Sequence, residues 1–184
     1  MIPAVILAAG FGKRMGGPKA VQLWEGETLL HRATRLALAA RCQPVLAVVG
    51  GWEPEPLGPL VQLVSNPQAA EGIASSIRAG VAALPPQAEA VLLLTVDQVR
   101  VDTTLLGRLL DLYHLDPTRP AACAYANTLG IPAVVPRRLF PALLALRGDQ
   151  GAKGILLQQQ ANSLPFPGGS EDLDTPEDLA AFRR

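Results

Sequence analysis

Residues 5–20 read V-I-L-A-A-G-F-G-K-R-M-G-G-P-K-A, an apolar run that passes directly into a loop rich in glycine and cationic residues. The apolar run at residues 5–9 predicts a strand, and the glycines after it permit backbone conformations with positive φ. Consecutive N–H groups in such a loop can converge on an anion. The loop also carries three cations, Lys13, Arg14 and Lys19. The stretch therefore predicts a strand that ends in a triphosphate-binding loop.

Two familiar phosphate loops do not match this stretch. The dinucleotide fingerprint G-x-G-x-x-G fails because Met15 stands where the third glycine belongs. The Walker A motif fails because Pro18 precedes Lys19, and because Ala20 replaces the required Ser or Thr. The alternative interpretation is a glycine-rich turn whose cations are merely solvated.

Apolar runs of strand length alternate with helical patterns along the whole chain. Strands are predicted at residues 45–49, 60–64, 90–96, 121–125 and 133–135. Helical spacing recurs between and after these runs, with predicted N-caps at Thr28, Asp102 and Thr175. Because this alternation is typical of βαβ units around a mainly parallel sheet, we expect residues 1–184 to form one α/β domain.

Composition excludes several classes of protein. Sixteen Lys and Arg balance sixteen Asp and Glu in 184 residues, so the basic excess of a nucleic-acid or anionic-membrane binder is absent. No apolar run approaches the ~20 residues that a membrane crossing requires. Positive charge follows the first apolar run rather than preceding it, which argues against a secretory signal and for a cytoplasmic location. The cysteines and histidines show neither zinc-ligand spacing nor a disulfide framework.

Asp97 is the most informative single carboxylate. It follows the apolar run at residues 90–96, which has the composition of a central parallel strand. Open α/β sheets bind ligands at the carboxyl ends of their strands, so Asp97 is expected to face such a crevice. Mg²⁺ is a suitable partner because it prefers one or two carboxylates together with phosphate oxygens. The alternative is that Asp97 caps the following turn.

A neutral polar cluster follows the third predicted strand. Asn66 and the turn at residues 72–76 offer amide, hydroxyl and backbone groups that can read the edge of a nucleotide base. We expect this cluster to contact the base of a bound nucleotide. The alternative is that Ser75 or Ser76 caps the helix that begins there.

The motif L-A-A-G-x-G-x-R-M-G-x-x-K at residues 7–19 resembles the signature of the MobA-like nucleotidyltransferases. The A-A-G form is more similar to the molybdenum cofactor cytidylyltransferases than to the guanylyltransferases. The resemblance extends over the chain through these further blocks: N-P at 66–67, E-G at 71–72, S-S-I-R-A-G at 75–80, D-Q at 97–98, G-D-Q-G-A-K at 148–153 and D-L-D-T-P-E-D at 172–178.

This resemblance implies a three-layer Rossmann-like α/β fold and a specific reaction. An enzyme of this kind moves CMP from CTP to the phosphate of molybdenum-bound molybdopterin and releases pyrophosphate. The implied catalytic residues are Arg14, Lys19 and Asp97, and the implied Mg²⁺ ligands are Asp97 and Asp174. The nucleotide-binding set is Leu7, Ala8, Ala9, Gly10, Gly12, Lys13, Arg14, Lys19, Asn66, Gly72 and Ser75.

Other parts of the resemblance leave alternatives open. Gln98 and Gly130 resemble pterin-side or loop positions, and residues 148–153 either close over the acceptor or begin a helix. Asp174 lies in an acidic stretch that also suits a solvated face. A molybdoenzyme or a chaperone is the implied recipient of the product.

Three departures from the family pattern concern the acceptor. Val99 follows D-Q where Pro is usual, Gly12 stands where Ser is frequent, and Ile131 separates Gly130 from Pro132 where a polar residue is frequent. Competing interpretations are a related transferase that uses GTP or a sugar or alcohol phosphate, and a non-catalytic nucleotide-binding regulatory module. A dinucleotide-dependent oxidoreductase is disfavoured because no acidic residue ends the second predicted strand.

Overall fold

The computed structural model describes residues 1–12, 16–173, 175, 177 and 178. Its described strands are β1 (Ala4–Leu7), β2 (Leu23–Trp24), β3 (Glu27–Thr28), β4 (Val45–Val49), β5 (Val61–Ser65), β6 (Ala90–Thr95), β7 (Ala121–Tyr125), β8 (Thr128–Pro136) and β9 (Asn162–Pro165). The helices are α1 (Leu29–Ala39), α2 (Ile73–Ala82), α3 (Thr103–Leu115), α4 (Phe140–Leu144) and α5 (Lys153–Gln158).

Seven of these strands form one sheet in the order β5-β4-β1-β6-β8-β7-β9. The half formed by β5, β4, β1 and β6 is parallel throughout. β8 then runs antiparallel to both of its neighbours, whereas β9 pairs in parallel with β7. The carboxyl ends of β1, β4, β5 and β6 therefore share one edge of the sheet.

Helices cover both faces of this sheet. α1 and α3 pack on one face, while α2, α4 and α5 pack on the other. Along β1, Ala4 and Ile6 point into the first layer, and Val5 and Leu7 point into the second. This period-two alternation between two apolar layers explains why the central strands are apolar at every position. The predicted three-layer α/β fold with a mainly parallel sheet is confirmed.

Polar caps define where the main helices begin. The Thr28 hydroxyl accepts the His31 N–H at 3.2 Å, and the Asp102 carboxylate accepts the Leu105 N–H at 2.7 Å. Thr175, a predicted N-cap, and Asp178 bond each other's backbone N–H reciprocally, as in a capping box. Pro176, the residue after this N-cap, lies outside the described residues.

Several predicted boundaries shift in the structure. The first strand ends at Leu7 rather than at residue 9, although the Ala8 N–H still donates to the Val48 carbonyl. β5 is an exposed edge strand, and β8 is longer than the predicted strand at residues 133–135. The β2–β3 hairpin and β9 were not predicted. None of the described helices has the length and apolar character needed to cross a membrane.

Candidate functional site

A cavity of about 230 Å³ opens at the shared carboxyl edge of the parallel strands. This is the edge at which open α/β sheets bind ligands. The loops that follow β1, β5 and β6 each contribute to it. Its lining comprises Leu7, Ala8, Ala9, Gly10, Gly12, Lys19, Ala69, Gly72, Ile73, Ser76, Thr95, Val96 and Asp97.

The loop after β1 supplies one wall largely through its backbone. Gly12 has a φ of +53°, and a side chain there would collide with the Gly17 carbonyl. The Gly17 N–H in turn donates to the Gly12 carbonyl, which folds the loop back on itself. The glycine at position 12 is therefore required by the close return of the chain, and the five predicted residues from Leu7 to Gly12 all line the cavity.

Lys19 and Asp97 form the charged part of the site. The Lys19 Nζ lies 2.9 Å from the Asp97 Oδ2, and each side chain is 20% exposed. Lys19 begins a 3-10 turn after the glycine-rich loop, whereas Asp97 follows β6, so the pair joins two neighbouring strand ends. The amino-terminal loop and the strand-end carboxylate thus lie in one cavity.

The surroundings of Asp97 fit a metal held partly by substrate. In the described part of the chain, no group of three or more His, Cys, Asp or Glu side chains forms a ready-made metal cage. Mg²⁺ commonly binds through one or two carboxylates and completes its shell with water and phosphate oxygens. A single part-exposed carboxylate at the mouth of a cavity suits that arrangement.

The acidic carboxyl-terminal stretch passes next to Asp97. The Leu173 N–H donates to the Asp97 carbonyl at 3.1 Å, and Gln98 forms a β-bridge with Asp172. Asp174, the predicted second metal ligand, lies outside the described residues, as do Lys13 and Arg14.

Asn66 and Ser75 lie behind the cavity wall rather than on it. The buried Asn66 Nδ2 donates to Ser75 Oγ at 2.9 Å and to Ser76 Oγ at 3.1 Å, and its Oδ1 accepts the Gln68 N–H. The Ser75 hydroxyl donates to the Gly72 carbonyl at 2.8 Å. Gly72, not either serine, is the N-cap of α2. The cluster therefore holds Gly72 and Ser76, which do line the cavity.

Gln98 and Gly130 belong to a packed cluster beside the site. The Gln98 side-chain amide donates to the Gly169 carbonyl at 2.9 Å and to the Tyr125 hydroxyl at 3.4 Å. The Tyr125 hydroxyl donates to the Ile131 carbonyl, and burial raises the pKa of this phenol. A side chain at position 130 would collide with that hydroxyl. This cluster anchors residues 167–172 against β6 and β7.

Sequence patterns missed three lining residues, Ala69, Thr95 and Val96, whereas Ile73 and Ser76 were predicted only as part of the turn at residues 72–76. The available signal was position. Thr95 ends a central strand and Val96 follows it directly, while Ile73 and Ser76 occupy the first turn of a helix beside the same edge.

Residues 4–163 match the MobA-like NTP transferase domain. The chain belongs to this family of the nucleotidyltransferase superfamily. Nicotine blue oxidoreductase of Paenarthrobacter nicotinovorans is 32% identical over 201 residues, covering 97% of this chain and 94% of that protein. Purine catabolism protein PucB of Bacillus subtilis (strain 168) is 26% identical over 197 residues, covering 98% and 95%.

Solved structures share the fold of this chain. Rv0371c from Mycobacterium tuberculosis H37Rv matches with a TM-score of 0.80 and 26% identity, covering 99% of this chain and 97% of that chain. A complex of Rv0371c with manganese matches with a TM-score of 0.75 and 26% identity, covering 98% and 96%.

Proposed function

We propose that this MobA-like protein transfers CMP from CTP to the phosphate of molybdenum-bound molybdopterin and releases pyrophosphate. The observation that carries the proposal is the 2.9 Å Lys19–Asp97 pair inside a cavity walled by the backbone of the glycine-rich loop. A cation and a metal-binding carboxylate beside a backbone cradle suit a triphosphate and its counter-ion.

The reaction needs positioning and charge stabilisation more than covalent chemistry from the protein. An oxygen of the acceptor phosphate attacks the α-phosphorus of CTP, and the bond from that phosphorus to the bridging oxygen of the β-phosphate breaks. Pyrophosphate leaves with the electron pair of that bond. Lys19 holds the α-phosphate beside the acceptor, while Lys13 and Arg14 hold the departing β- and γ-phosphates.

Asp97, with Asp174 as the proposed second ligand, would hold Mg²⁺, which neutralises phosphate charge when bound. In the same proposal, Gly72 and Ser76 face the cytosine, while Asn66 and Ser75 fix their positions from behind. The product then passes to a molybdoenzyme or to a chaperone that delivers it.

One finding from a relative supports part of this proposal, and another adds a competing activity to its test. Rv0371c has been solved as a complex with manganese, which agrees with the use of a divalent cation. The name of the Paenarthrobacter relative describes an oxidoreductase, and that activity belongs to that protein. Nicotinamide cofactors are therefore included in the test below.

A thermal-shift panel tests the choice of nucleotide. CTP, GTP, ATP and UTP are each added with Mg²⁺, and NADH and NADPH are added in separate samples. We expect CTP to raise Tm most, because ligands that bind only the folded state stabilise it. A preference for GTP would move the protein to guanylyl transfer. Stabilisation by NADPH alone would contradict the proposal.

Pyrophosphate release then tests turnover and acceptor. With CTP and Mg²⁺, release is expected to depend on molybdenum-bound molybdopterin and not on a sugar or alcohol phosphate. Tight CTP binding without release on any of these acceptors would indicate a regulatory binding module instead.

A further inference from the structure

The loop at residues 147–151 is tied to the start of α2 by a charged clamp. The clamp consists of Glu71 and Arg78, whose Arg78 Nη2 and Nη1 donate to Glu71 Oε2 and Oε1 at 2.6 and 2.8 Å. Arg78 Nη1 also donates to the Leu146 carbonyl at 2.9 Å, and Glu71 Oε1 accepts the Gly148 N–H at 3.2 Å. Two side chains therefore hold both the turn before α2 and the segment that enters the loop.

The clamped loop packs directly against Gly72. The Gly148 carbonyl accepts the Ala74 N–H at 3.1 Å, and a Cβ on Gly72 would lie 2.5 Å from that same carbonyl oxygen. It would also collide with the Asp149 carboxylate, and Gly72 has a φ of +122°. The loop can pack this closely only because position 72 has no side chain.

Gly72 belongs to the wall of the cavity that α2 contributes. That wall, formed by Gly72, Ile73 and Ser76, contains no charged side chain, whereas Lys19 and Asp97 supply the charged part of the lining. Neutral polar and apolar groups suit a nucleotide base better than they suit phosphates. The 147–151 loop does not line the cavity, so its effect is exerted through the backbone of Gly72 and the first turn of α2.

Both partners of the clamp keep their charges over a wide pH range. Hydrogen bonds from Arg78 and from the Gly148 N–H lower the pKa of Glu71 to about 2. The hydrogen bond to Glu71 raises the pKa of the Arg78 guanidinium. Charge-assisted, two-pronged pairs of this kind fix geometry more strictly than neutral hydrogen bonds.

We propose that Glu71 and Arg78 are positioning residues for the nucleotide base. By clamping the 147–151 loop onto Gly72, they fix the position of the α2 wall and thereby determine the affinity for the pyrimidine part of the substrate. This inference rests on the proposed function, because it places the base against that wall. It assigns a role to the G-D-Q-G-A-K block that requires no direct contact with substrate.

The test compares CTP with inorganic tripolyphosphate, which carries the same phosphate chain and no base. Calorimetric Kd values are measured with Mg²⁺ for the wild type, Glu71→Ala and Arg78→Ala. We expect CTP affinity to fall about tenfold in both variants, while tripolyphosphate affinity stays within about twofold. Glu71→Gln keeps an acceptor for the Gly148 N–H and is expected to recover part of the loss.

Glu27→Ala is the matched control, because Glu27 also receives a two-pronged pair from an arginine, Arg35, yet lies outside the cavity lining. It is expected to leave both affinities unchanged. Circular dichroism checks folding. Where an alanine variant unfolds, Glu71→Gln and Arg78→Lys replace it, and the criterion is then a loss of CTP affinity that exceeds the loss of tripolyphosphate affinity.

The experiment distinguishes failure of the proposed function from failure of the positioning role alone. A wild type that binds tripolyphosphate but no nucleotide overturns the proposed function and the positioning role with it. A wild type that binds CTP while the clamp variants match it overturns the positioning role alone. Equal losses for CTP and tripolyphosphate also overturn that role, because they indicate a general structural effect.

Discussion

Lys19 and Asp97 are 78 positions apart in sequence and 2.9 Å apart in space. Part-exposed ion pairs contribute little to stability, about 0–1 kcal/mol, so this pair is poorly explained as a structural device. A site that must hold a polyphosphate and a metal requires both charges at one place. The pair is better explained by function.

Replacing either member is predicted to abolish most turnover. Lys19→Ala and Asp97→Ala each remove one oriented charge from the reacting phosphates, and we expect kcat to fall about a hundredfold or more. Pyrophosphate release under saturating CTP measures the loss, and Tm is expected to change little. Arg108→Ala, at an exposed position on α3, serves as the control. Near-normal release by both site variants would refute these assignments.

The lowered pKa of Glu71 predicts that the free energy of unfolding depends on pH. Its pKa falls from 4.5 in the unfolded chain to about 2 in the folded protein. The hydrogen bond from Arg78 is the larger cause, and the hydrogen bond from the Gly148 N–H is the smaller one. Its stabilising contribution is therefore complete above the unfolded pKa and disappears as pH falls through the folded pKa. The wild type is expected to exceed Glu71→Gln in free energy of unfolding at pH 7, with the difference shrinking between about pH 5 and pH 2.

Urea titrations of both proteins across this range provide the measurement. A difference that stays constant down to pH 2 would mean that Glu71 does not titrate as the clamp requires.

Part of the site could be predicted from residue identity and position. Asp97 could be predicted as a site residue, because few structural roles explain a carboxylate at the end of an apolar strand. The inward-turned amide of Asn66 was not recognisable, because its partners Ser75 and Ser76 are fixed by the orientation of α2 against β5. The requirement for glycine at position 130 could not be predicted either, because a side chain there would meet the Tyr125 hydroxyl on the neighbouring strand.

At the scale of elements, helix starts were predictable because caps are local. Thr28 and Asp102 each bond an N–H three residues ahead, an interaction contained within four residues of sequence. β9 and the β2–β3 hairpin lacked such signals. β9 is short and ends at a proline, while β2 and β3 have two residues each.

The cap of α3 gives a prediction about stability. Asp102→Ala leaves the Leu105 N–H without its 2.7 Å partner and is expected to cost about 1 kcal/mol, or roughly 2–4 °C in Tm. Asp111→Ala, at an exposed position inside the same helix, is the control and is expected not to destabilise. Equal effects of the two substitutions would show that the cap contributes nothing particular.

The contact between α2 and the sheet gives a second prediction about stability. A Cβ on Gly80 would collide with Val5 and lie 3.1 Å from Val48 Cγ2, and both valines are fully buried. Gly80→Ala gains about 1 kcal/mol of helix propensity but costs about 1–3 kcal/mol in overpacking, so we expect net destabilisation.

Gly107→Ala in α3 is the matched comparison, because nothing lies within 4 Å of the added Cβ. It is expected to stabilise by about 0.5–1 kcal/mol in urea unfolding. Shifts of the same sign in both variants would contradict the close helix–sheet contact.

At the scale of the molecule, the sheet brings distant segments to one place. The strand order puts β1 between β4 and β6, so Lys19 lies beside Asp97 although the two residues are far apart in sequence. Alternation of strands and helices predicted the class of fold, but the sequence pattern alone does not determine which strands are neighbours. The family resemblance implied a three-layer Rossmann-like fold with a mainly parallel sheet, and the structure agrees with that, but the order of the strands comes from the structure alone.

The most direct test is a crystal structure of the protein with CTP and Mn²⁺, in which anomalous scattering locates the metal. We predict a manganese peak at the Asp97 carboxylate, with the triphosphate along residues 10–19 and the cytosine against Gly72 and Ser76. A nucleotide bound elsewhere, or a manganese ion remote from Asp97, would contradict the account.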